Sequence, residues 1–380
     1  MIILDSIAIS APGVFVSSNV PEDDAAPAQS LTRAYAASDR VMDPATHLLY
    51  ESKVGTKSAV TISVGSPGSI SWSLHGQVAG TPISFETTGS LPTGLLPNVI
   101  YYVLAPGVNS FSVSATVGGA AIVLSGTQPG VHTATASQNA NRPLTEETYW
   151  LPVGATNRWK MLDAYNNTQT EQADEIVLVL RPQAIVQALY LGNIDGDEIA
   201  ITVTDPTDGV VYAETTSMVI SNSGSSMFNW LFKRIFRRRQ FCTVTLPMYY
   251  AATIEVRIRR LGGIAKCGML CIGPLEDVGL SQYGLEAEIK DYSSTKFNFD
   301  GTSNTKLRGY SKKMVVDVVL HNSVVSQVHE RLIDFRQKTV VFIGAIEFDL
   351  SLVCGTYSSF KTVIVQTKQS KIALQIDGKV

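Results

Sequence analysis

A basic and aromatic segment at positions 227–239 has the most distinctive chemistry of the sequence. It reads MFNWLFKRIFRRR, with five basic groups within seven residues and large apolar side chains between them. If the segment is helical, an apolar stripe faces a basic one; the apolar stripe consists of Phe228, Leu231, Phe232 and Ile235, and the basic one of Lys233, Arg234 and Arg237. Such a segment suits an anionic membrane surface or phosphate contacts. It also suits a protein interface, where Arg and Trp concentrate.

We favour the interface interpretation, in which a loop of a β-sandwich docks on a neighbouring subunit and its arginines pair with carboxylates. A solvated loop, a membrane contact and a nucleic-acid contact remain the alternatives. The candidate partner-interface residues are Phe228, Trp230, Lys233, Arg234, Arg237, Arg238 and Arg239.

Histidine and cysteine spacing argues against a metal site. His321 and His329 lie eight residues apart, which is too far for the i, i+4 pair of a helical zinc site. Cys267 and Cys271 are positions i and i+4 of one expected strand, so they should face one core, where cysteine acts as a small hydrophobe. The other two cysteines are remote in sequence. We expect no metal, no cofactor and no disulfide framework in a chain made in a reducing cytoplasm.

Acidic residues give no clear catalytic pattern. Residues 193–198 resemble half a calcium loop, but Asp195-Gly196 between two β runs fits a hairpin turn better. Adjacent carboxylates such as Glu146 and Glu147 point to opposite faces of a strand. The sequence contains none of the glycine motifs of phosphate loops, dinucleotide sites or nucleophile elbows. We therefore expect no enzyme activity, although two distant carboxylates could still meet in a glycosidase-like cleft.

Aromatic residues cluster in a stretch that is almost free of charge. One interpretation is a platform that stacks on sugars, and the favoured one is a strand core. The residues concerned are Trp72, Phe85, Tyr101, Tyr102 and Phe111.

The composition and length indicate the class of protein in which these residues lie. A chain of 380 residues suggests two or three domains. With 45% apolar and 17% charged residues, disorder is disfavoured, and a net charge of -3 disfavours nucleic-acid binding by the whole protein. No apolar run reaches the length of a membrane span, and the beginning MIILDSIAISAPGVF has no basic region of a signal peptide. We expect no stable membrane insertion.

The order of strand and turn signals predicts a mostly β, multi-domain fold. Residues 1–55 indicate an extended arm, and residues 56–140 a small all-β insertion module with short strands between Gly and Pro breakers. Residues 141–265 indicate a β-sandwich domain, with a turn at Asp205-Pro206-Thr207-Asp208-Gly209. Residues 266–380 indicate a β-rich domain with an amphipathic helix at 323–337, capped by Asn322 or Ser323.

Several segments resemble proteins of tailed bacteriophages. Residues 91–135, LPTGLLPNVIYYVLAPGVNSFSVSATVGGAAIVLSGTQPGVHTAT, resemble a small β module of phage tail and fibre proteins. Four later segments resemble a structural protein of the phage tail region; they are TNRWKMLD (156–163), RRRQFCTVTLPMYYAATIEVRI (237–258), YSKKMVVDVVL (310–320) and FIGAIEFDLSLVCGTYSSFKTVI (342–364). The resemblance supplies no catalytic residues.

The resemblance implies a virion protein of the tail tip, baseplate or fibre-attachment ring, assembled in the host cytoplasm. Its expected partners are copies of itself in a ring, since repeating one heterologous contact closes a ring, and other tail proteins. Tail fibres and host surface glycans are further candidates. The alternative function is a host-receptor or carbohydrate-binding adhesion module of the tail.

Overall fold

The computed structural model describes residues 1–9, 13–22, 26–220, 227–232, 236–297 and 299–379. The chain forms two compact units. Unit 1 comprises Met1–Glu22 and Asn157–Val380, and unit 2 comprises Asp23–Thr156. Antiparallel sheets dominate both units, which confirms the predicted mostly β, multi-domain fold.

Unit 2 contains a closed barrel and a three-stranded sheet. The chain first contributes two strands to unit 1, β1 (Ile2–Leu4) and β2 (Phe15–Ser18). The strands of unit 2 are β3 (Arg40–Asp43), β4 (Leu48–Ser52), β5 (Thr56–Ser63), β6 (Ser69–Ser71), β7 (Pro82–Thr87), β8 (Tyr101–Leu104), β9 (Ser110–Ser114), β10 (His132–Ala136) and β11 (Trp150–Ala155). The barrel runs β10-β5-β6-β9-β8-β7, and the sheet runs β11-β4-β3.

The barrel lies within the stretch predicted as a small β module. Alternate residues of its strands, such as Tyr101 and Val103 on β8, point into one core. Residues 121–124 make only isolated bridges to the barrel, from Ala121 to Ser114 and from Leu124 to Gly65. The closing strand is instead β10, whose inward residues Ala134 and Ala136 are too small to give an apolar signal in the sequence.

Unit 1 holds the remaining strands. They are β12 (Thr170–Leu180), β13 (Ala188–Gly192), β14 (Glu198–Asp205), β15 (Gly209–Ser217), β16 (Val219–Ile220), β17 (Phe236–Arg237), β18 (Gln240–Thr243), β19 (Thr253–Cys267), β20 (Met269–Gly273), β21 (Leu275–Asp277), β22 (Leu280–Ser281), β23 (Glu286–Asp291), β24 (Ser294–Phe297), β25 (Ser303–Lys306), β26 (Tyr310–His321), β27 (Val340–Ile343), β28 (Leu352–Ile364) and β29 (Gln369–Gly378). The α-helices are α1 (Met227–Phe232) and α2 (Val325–Asp334). Short 3₁₀ turns occupy Lys160–Leu162, Asn322–Val324 and Asp349–Ser351.

Three sheets of unit 1 stack in layers. A five-stranded sheet, β15-β14-β19-β12-β2, shares one core with a three-stranded sheet, β18-β13-β20. The three-stranded sheet is buried on both faces, since Leu189 points into that core while Tyr190 points into a second one. That second core is shared with an eight-stranded sheet, β21-β1-β27-β28-β29-β26-β22, in which β23 also pairs with β26. Helix α2 covers the other face of this sheet.

Local sequence signals of unit 1 are matched by the structure. On β14, Ile199, Ile201 and Val203 point inward, as their alternation predicts. The turn at Asp205–Gly209 joins β14 to β15: the Asp205 carboxylate accepts from the Thr207 backbone N–H at 2.8 Å, and Gly209 adopts a φ of 76°.

Helix α2 has the predicted apolar face, with Val328 and Leu332 buried, but its bounds and cap differ from the prediction. The α-helix proper spans Val325–Asp334, after a 3₁₀ turn. The N-cap of the α-helix is Val324, which makes no side-chain cap hydrogen bond, rather than Asn322 or Ser323. His321 caps the 3₁₀ turn, since its side chain accepts from the Ser323 backbone N–H.

The first 55 residues do not form one arm. Strand β1 lies inside the eight-stranded sheet between β21 and β27, and β2 pairs with β12, while β3 and β4 belong to unit 2. A run of three residues such as Ile2–Leu4 is too short to predict a strand, because its partners lie far along the chain. Residues 141–265 and 266–380 likewise form shared layers of unit 1 rather than two separate bodies.

Candidate interaction surface

Strands β16 and β17 form a small hairpin that carries most of the basic and aromatic segment. Val219 pairs with Arg237 and Ile220 with Phe236, and α1 lies between the two strands. We call residues 219–237 the apolar hairpin.

The base of the apolar hairpin is firmly held. Met218, directly before it, is fully buried in the core of the five-stranded sheet and donates its backbone N–H to the Asp197 carbonyl at 2.9 Å. Arg238, directly after it, donates its backbone N–H to the Met218 carbonyl at 2.8 Å. The Arg237 guanidinium lies 2.7 Å from the Asp197 carboxylate. Hydrogen bonds, buried surface and charge therefore all fix where the hairpin begins and ends.

The described residues of the apolar hairpin beyond its base include large, exposed apolar side chains. Phe228 is 68% exposed and Phe232 is 71% exposed, and their ring centroids lie 4.9 Å apart. The other exposed apolar side chains are Ile220, Met227, Leu231 and Phe236. A helix of six residues is not stable in water by itself. The exposed, neighbouring rings of Phe228 and Phe232 form an apolar patch, which is typical of an interaction site.

The predicted interface residues that the structure describes have different environments. Phe228 is exposed on α1. Arg237 pairs with Asp197, and Arg238 lies 3.9 Å from Asp349 at a half-exposed position. Arg239 lies at the rim of a pocket described below. Lys233, Arg234 and the side chain of Trp230 lie outside the described residues, as does Ile235.

The conditional helical stripe does not extend to Arg237. Helix α1 ends at Phe232, and Arg237 belongs to strand β17, so no single helix places Arg237 opposite the phenylalanines. The pairing of β16 with β17 determines this geometry, and a two-residue strand gives no periodic signal in the sequence.

A second exposed surface was not predicted. Residues 283–310, which we call the exposed arm, contain β23, β24 and β25, and every residue of β23 and β25 is exposed. Its exposed apolar side chains include Ile289, Phe297, Phe299 and Leu307. Asp300-Gly301 between β24 and β25 is a hairpin signal that could have identified part of it. An exposed edge strand such as β23 offers unpaired backbone groups to another chain.

The cysteines lie in two different cores, which corrects the prediction that Cys267 and Cys271 share one. Cys267 ends β19 and Cys271 lies on β20, and the intervening Gly268 breaks the alternation of a single strand. Both are buried, as predicted for small hydrophobes. Cys354 comes from a remote position to hydrogen-bond the Cys271 thiol, and Cys242 packs against the same core. Burial raises the pKa of Cys242 to about 12, so its thiol stays protonated at neutral pH.

The Asp195-Gly196 stretch is not a hairpin turn. Strands β13 and β14 belong to different sheets, so residues 193–197 cross from one layer to the next. The Asp195 carboxylate pairs with the Arg260 guanidinium. An arginine neutralises this carboxylate, so the stretch does not resemble a calcium loop in structure.

Other carboxylates of the five-stranded sheet are also paired. The Arg259 guanidinium lies 3.0 Å from both the Glu175 and the Glu198 carboxylates, on the face opposite the core. In the described ranges, no group of three or more His, Cys, Asp or Glu residues could hold a metal ion. No helix among the described residues is long and apolar enough to cross a membrane.

The aromatic residues of the barrel mostly fill its core. Trp72, Phe85, Tyr101 and Phe111 are buried there, which confirms the favoured core interpretation, and Tyr102 is half-buried. These four rings cannot form a sugar-stacking platform, because their faces are covered by other core side chains.

Comparison with protein-family models finds no match to this sequence. Comparison with curated proteins finds none either.

Proposed function

We propose that this protein is a structural component of a bacteriophage tail, at the tail tip, baseplate or fibre-attachment ring, and that it acts through contacts between subunits. The resemblance of five sequence segments to phage tail proteins supports the place in the virion. The geometry of the apolar hairpin supports the mode of action. The expected assembly is a ring of identical chains that also contacts other tail proteins.

The observation that carries the proposal is the contrast between the base and the rest of the apolar hairpin. Hydrogen bonds and the Arg237–Asp197 ion pair hold the base, whereas Phe228 and Phe232 remain exposed. Fixing a hairpin while exposing its apolar side chains costs free energy in an isolated chain. Burial against a neighbouring subunit recovers that free energy, because interfaces gain most from a few apolar and aromatic anchors.

The proposal is tested first by the molar mass of the purified chain in solution. We expect light scattering across a range of concentrations to give a multiple of 41.0 kDa. The double variant Phe228→Ser, Phe232→Ser removes both stacked rings and should shift the mass towards the monomer. Leu96→Ser is the matched control, since Leu96 is 63% exposed on the barrel, outside the apolar hairpin.

Two results would contradict the proposed mode of action. One is a wild-type chain that stays monomeric at every concentration. The other is a double variant that assembles as well as the Leu96→Ser control. The place in the virion needs a separate test, in which an antibody against this chain is added to purified phage particles. Labelling of tails supports the proposal, and labelling of capsids alone contradicts it.

The adhesion alternative receives no support from the barrel aromatics. Its physical basis was a set of exposed rings, and Trp72, Phe85, Tyr101 and Phe111 are buried. We therefore propose subunit contact alone.

A further inference from the structure

A small pocket in unit 1 opens where the three-stranded sheet meets the eight-stranded sheet. Tyr190 on β13 and Gln240 on β18 line it from one sheet, and Lys312 on β26 and Cys354 on β28 line it from the other. Its volume is about 60 Å³. Since one water needs about 10–15 Å³ of such space, the pocket has room for several waters or for one small ion of several atoms.

The charged groups of this pocket are all positive. Arg239, Lys312 and Lys379 line it, and none of the described residues that line it is an Asp or Glu. The Asp349 carboxylate acts on the Lys312 ammonium through its charge, and it also lies 3.9 Å from the Arg238 guanidinium. Among the described residues that line the pocket, three are cationic and none is acidic, so the lining carries positive charge.

Hydrogen bonds orient the polar side chains inside the pocket. The Lys312 ammonium donates to the Gln240 side-chain carbonyl at 2.6 Å, and the Gln240 amide donates to the Tyr190 hydroxyl at 2.9 Å. Gln240 is only 8% exposed. The chain of hydrogen bonds therefore directs Lys312 to a fixed position, and its ammonium retains N–H donors for a further acceptor.

The Lys312 charge is only partly compensated. Its observed acceptor is a neutral amide, and burial lowers the pKa of Lys312 because the charged form loses solvation. A buried charge is stable when a partner of opposite charge is present. An anion placed among Lys312, Arg239 and Lys379 would supply that partner.

We propose that this pocket binds a small oxyanion of phosphate type. Lysine and arginine donate charge-assisted hydrogen bonds to oxyanions, and the forked guanidinium of Arg239 can offer two of them. The pocket volume admits an ion of the size of inorganic phosphate. The site does not depend on the proposed role in a phage tail.

The test is calorimetric titration of the full chain with inorganic phosphate, at an ionic strength kept constant with chloride. We expect saturable binding and a thermal midpoint that rises with phosphate concentration. Lys312→Gln keeps a donor for Gln240 but removes the charge, and Arg239→Gln changes an exposed side chain at the rim. Each should weaken phosphate binding by about tenfold, the size of one charge-assisted hydrogen bond.

The matched control is Lys361→Gln, which removes an exposed lysine that is not among the residues lining the pocket and should leave binding unchanged. The proposal is overturned if the wild-type chain shows no saturable binding at millimolar phosphate, or if both pocket variants bind like the control. Acetate binding more tightly than phosphate would also overturn it. If circular dichroism shows that the Lys312→Gln variant is unfolded, phosphate binding by the Arg239→Gln variant alone tests the proposal.

Discussion

Single side chains of this protein are governed by burial, and the cysteines show this most directly. Burial raises the pKa of both Cys242 and Cys267 to about 12. At pH 8 a thiol with that pKa is ionised in only about one molecule in 10⁴, and the thiolate is the reactive form. Cys271 and Cys354 are buried and hydrogen-bond each other. The high pKa of Cys242 and Cys267 and the burial of Cys271 and Cys354 therefore limit the reactivity of all four thiols.

We predict that an aromatic disulfide reagent at pH 8 reacts slowly with the folded chain and quickly with all four cysteines after unfolding in urea. Cys242 should react first in the folded chain, because it alone is half-buried while the other three are buried. Absorbance of the released thiol gives both rates. A folded chain that reacts at the rate of a free peptide thiol would show that this core is open to solvent.

At the scale of elements, helix α2 shows how a buried apolar face stabilises the fold. Leu332 is 1% exposed and packs with Val328 against the eight-stranded sheet, while the next residue, Ile333, is 41% exposed. We predict that Leu332→Ala lowers the free energy of unfolding by about 2–5 kcal/mol, since it leaves a cavity. Ile333→Ala is the matched control and should cost less than about 1 kcal/mol. Urea denaturation measures both, and equal losses would show that α2 does not pack as described.

Local periodicity explains which elements could be predicted. The alternation of Ile199, Ile201 and Val203 and the apolar face of α2 are set by neighbours in sequence, so both were predicted correctly. The turn at Asp205–Gly209 depends only on the conformations of its own residues and was also predicted.

Features that depend on remote partners could not be predicted. Strand β1 exists because β21 and β27 flank it, and the pairing of Cys271 with Cys354 joins two sheets. The pocket around Lys312 likewise combines residues from two sheets, so no segment of the sequence shows its charge. The apolar hairpin could be predicted only in part. Its composition is distinctive in the sequence, but its bounds depend on the pairing of β16 with β17.

At the scale of the whole molecule, unit 2 is inserted into the sequence of unit 1. The two ends that flank the insertion are close in space, since Glu22 accepts from the Trp159 indole N–H at 3.2 Å and lies 3.7 Å from the Arg158 guanidinium. Insertions are tolerated where the flanking ends already meet. Each unit also has its own apolar core.

We therefore predict that replacing residues 23–156 with a short Gly-Ser linker leaves unit 1 folded, because the linker has only a small gap to close. Residues 23–156 expressed alone should fold as well and serve as the complementary control. Circular dichroism and the cooperativity of urea unfolding measure both. Loss of cooperative unfolding in the shortened chain would show that unit 1 requires unit 2 for stability.

The position of β1 has a consequence for the order of folding. Residues 2–4 pair with residues 341–343 and 275–277, and both Ile3 and Leu4 are fully buried. The ribosome makes β1 more than three hundred residues before its β27 partner. Until then β1 has no β27 partner, and β28 and β29 do not yet exist, so Ile3 and Leu4 stay uncovered in the nascent chain. Apolar surface exposed in this way promotes aggregation or chaperone binding.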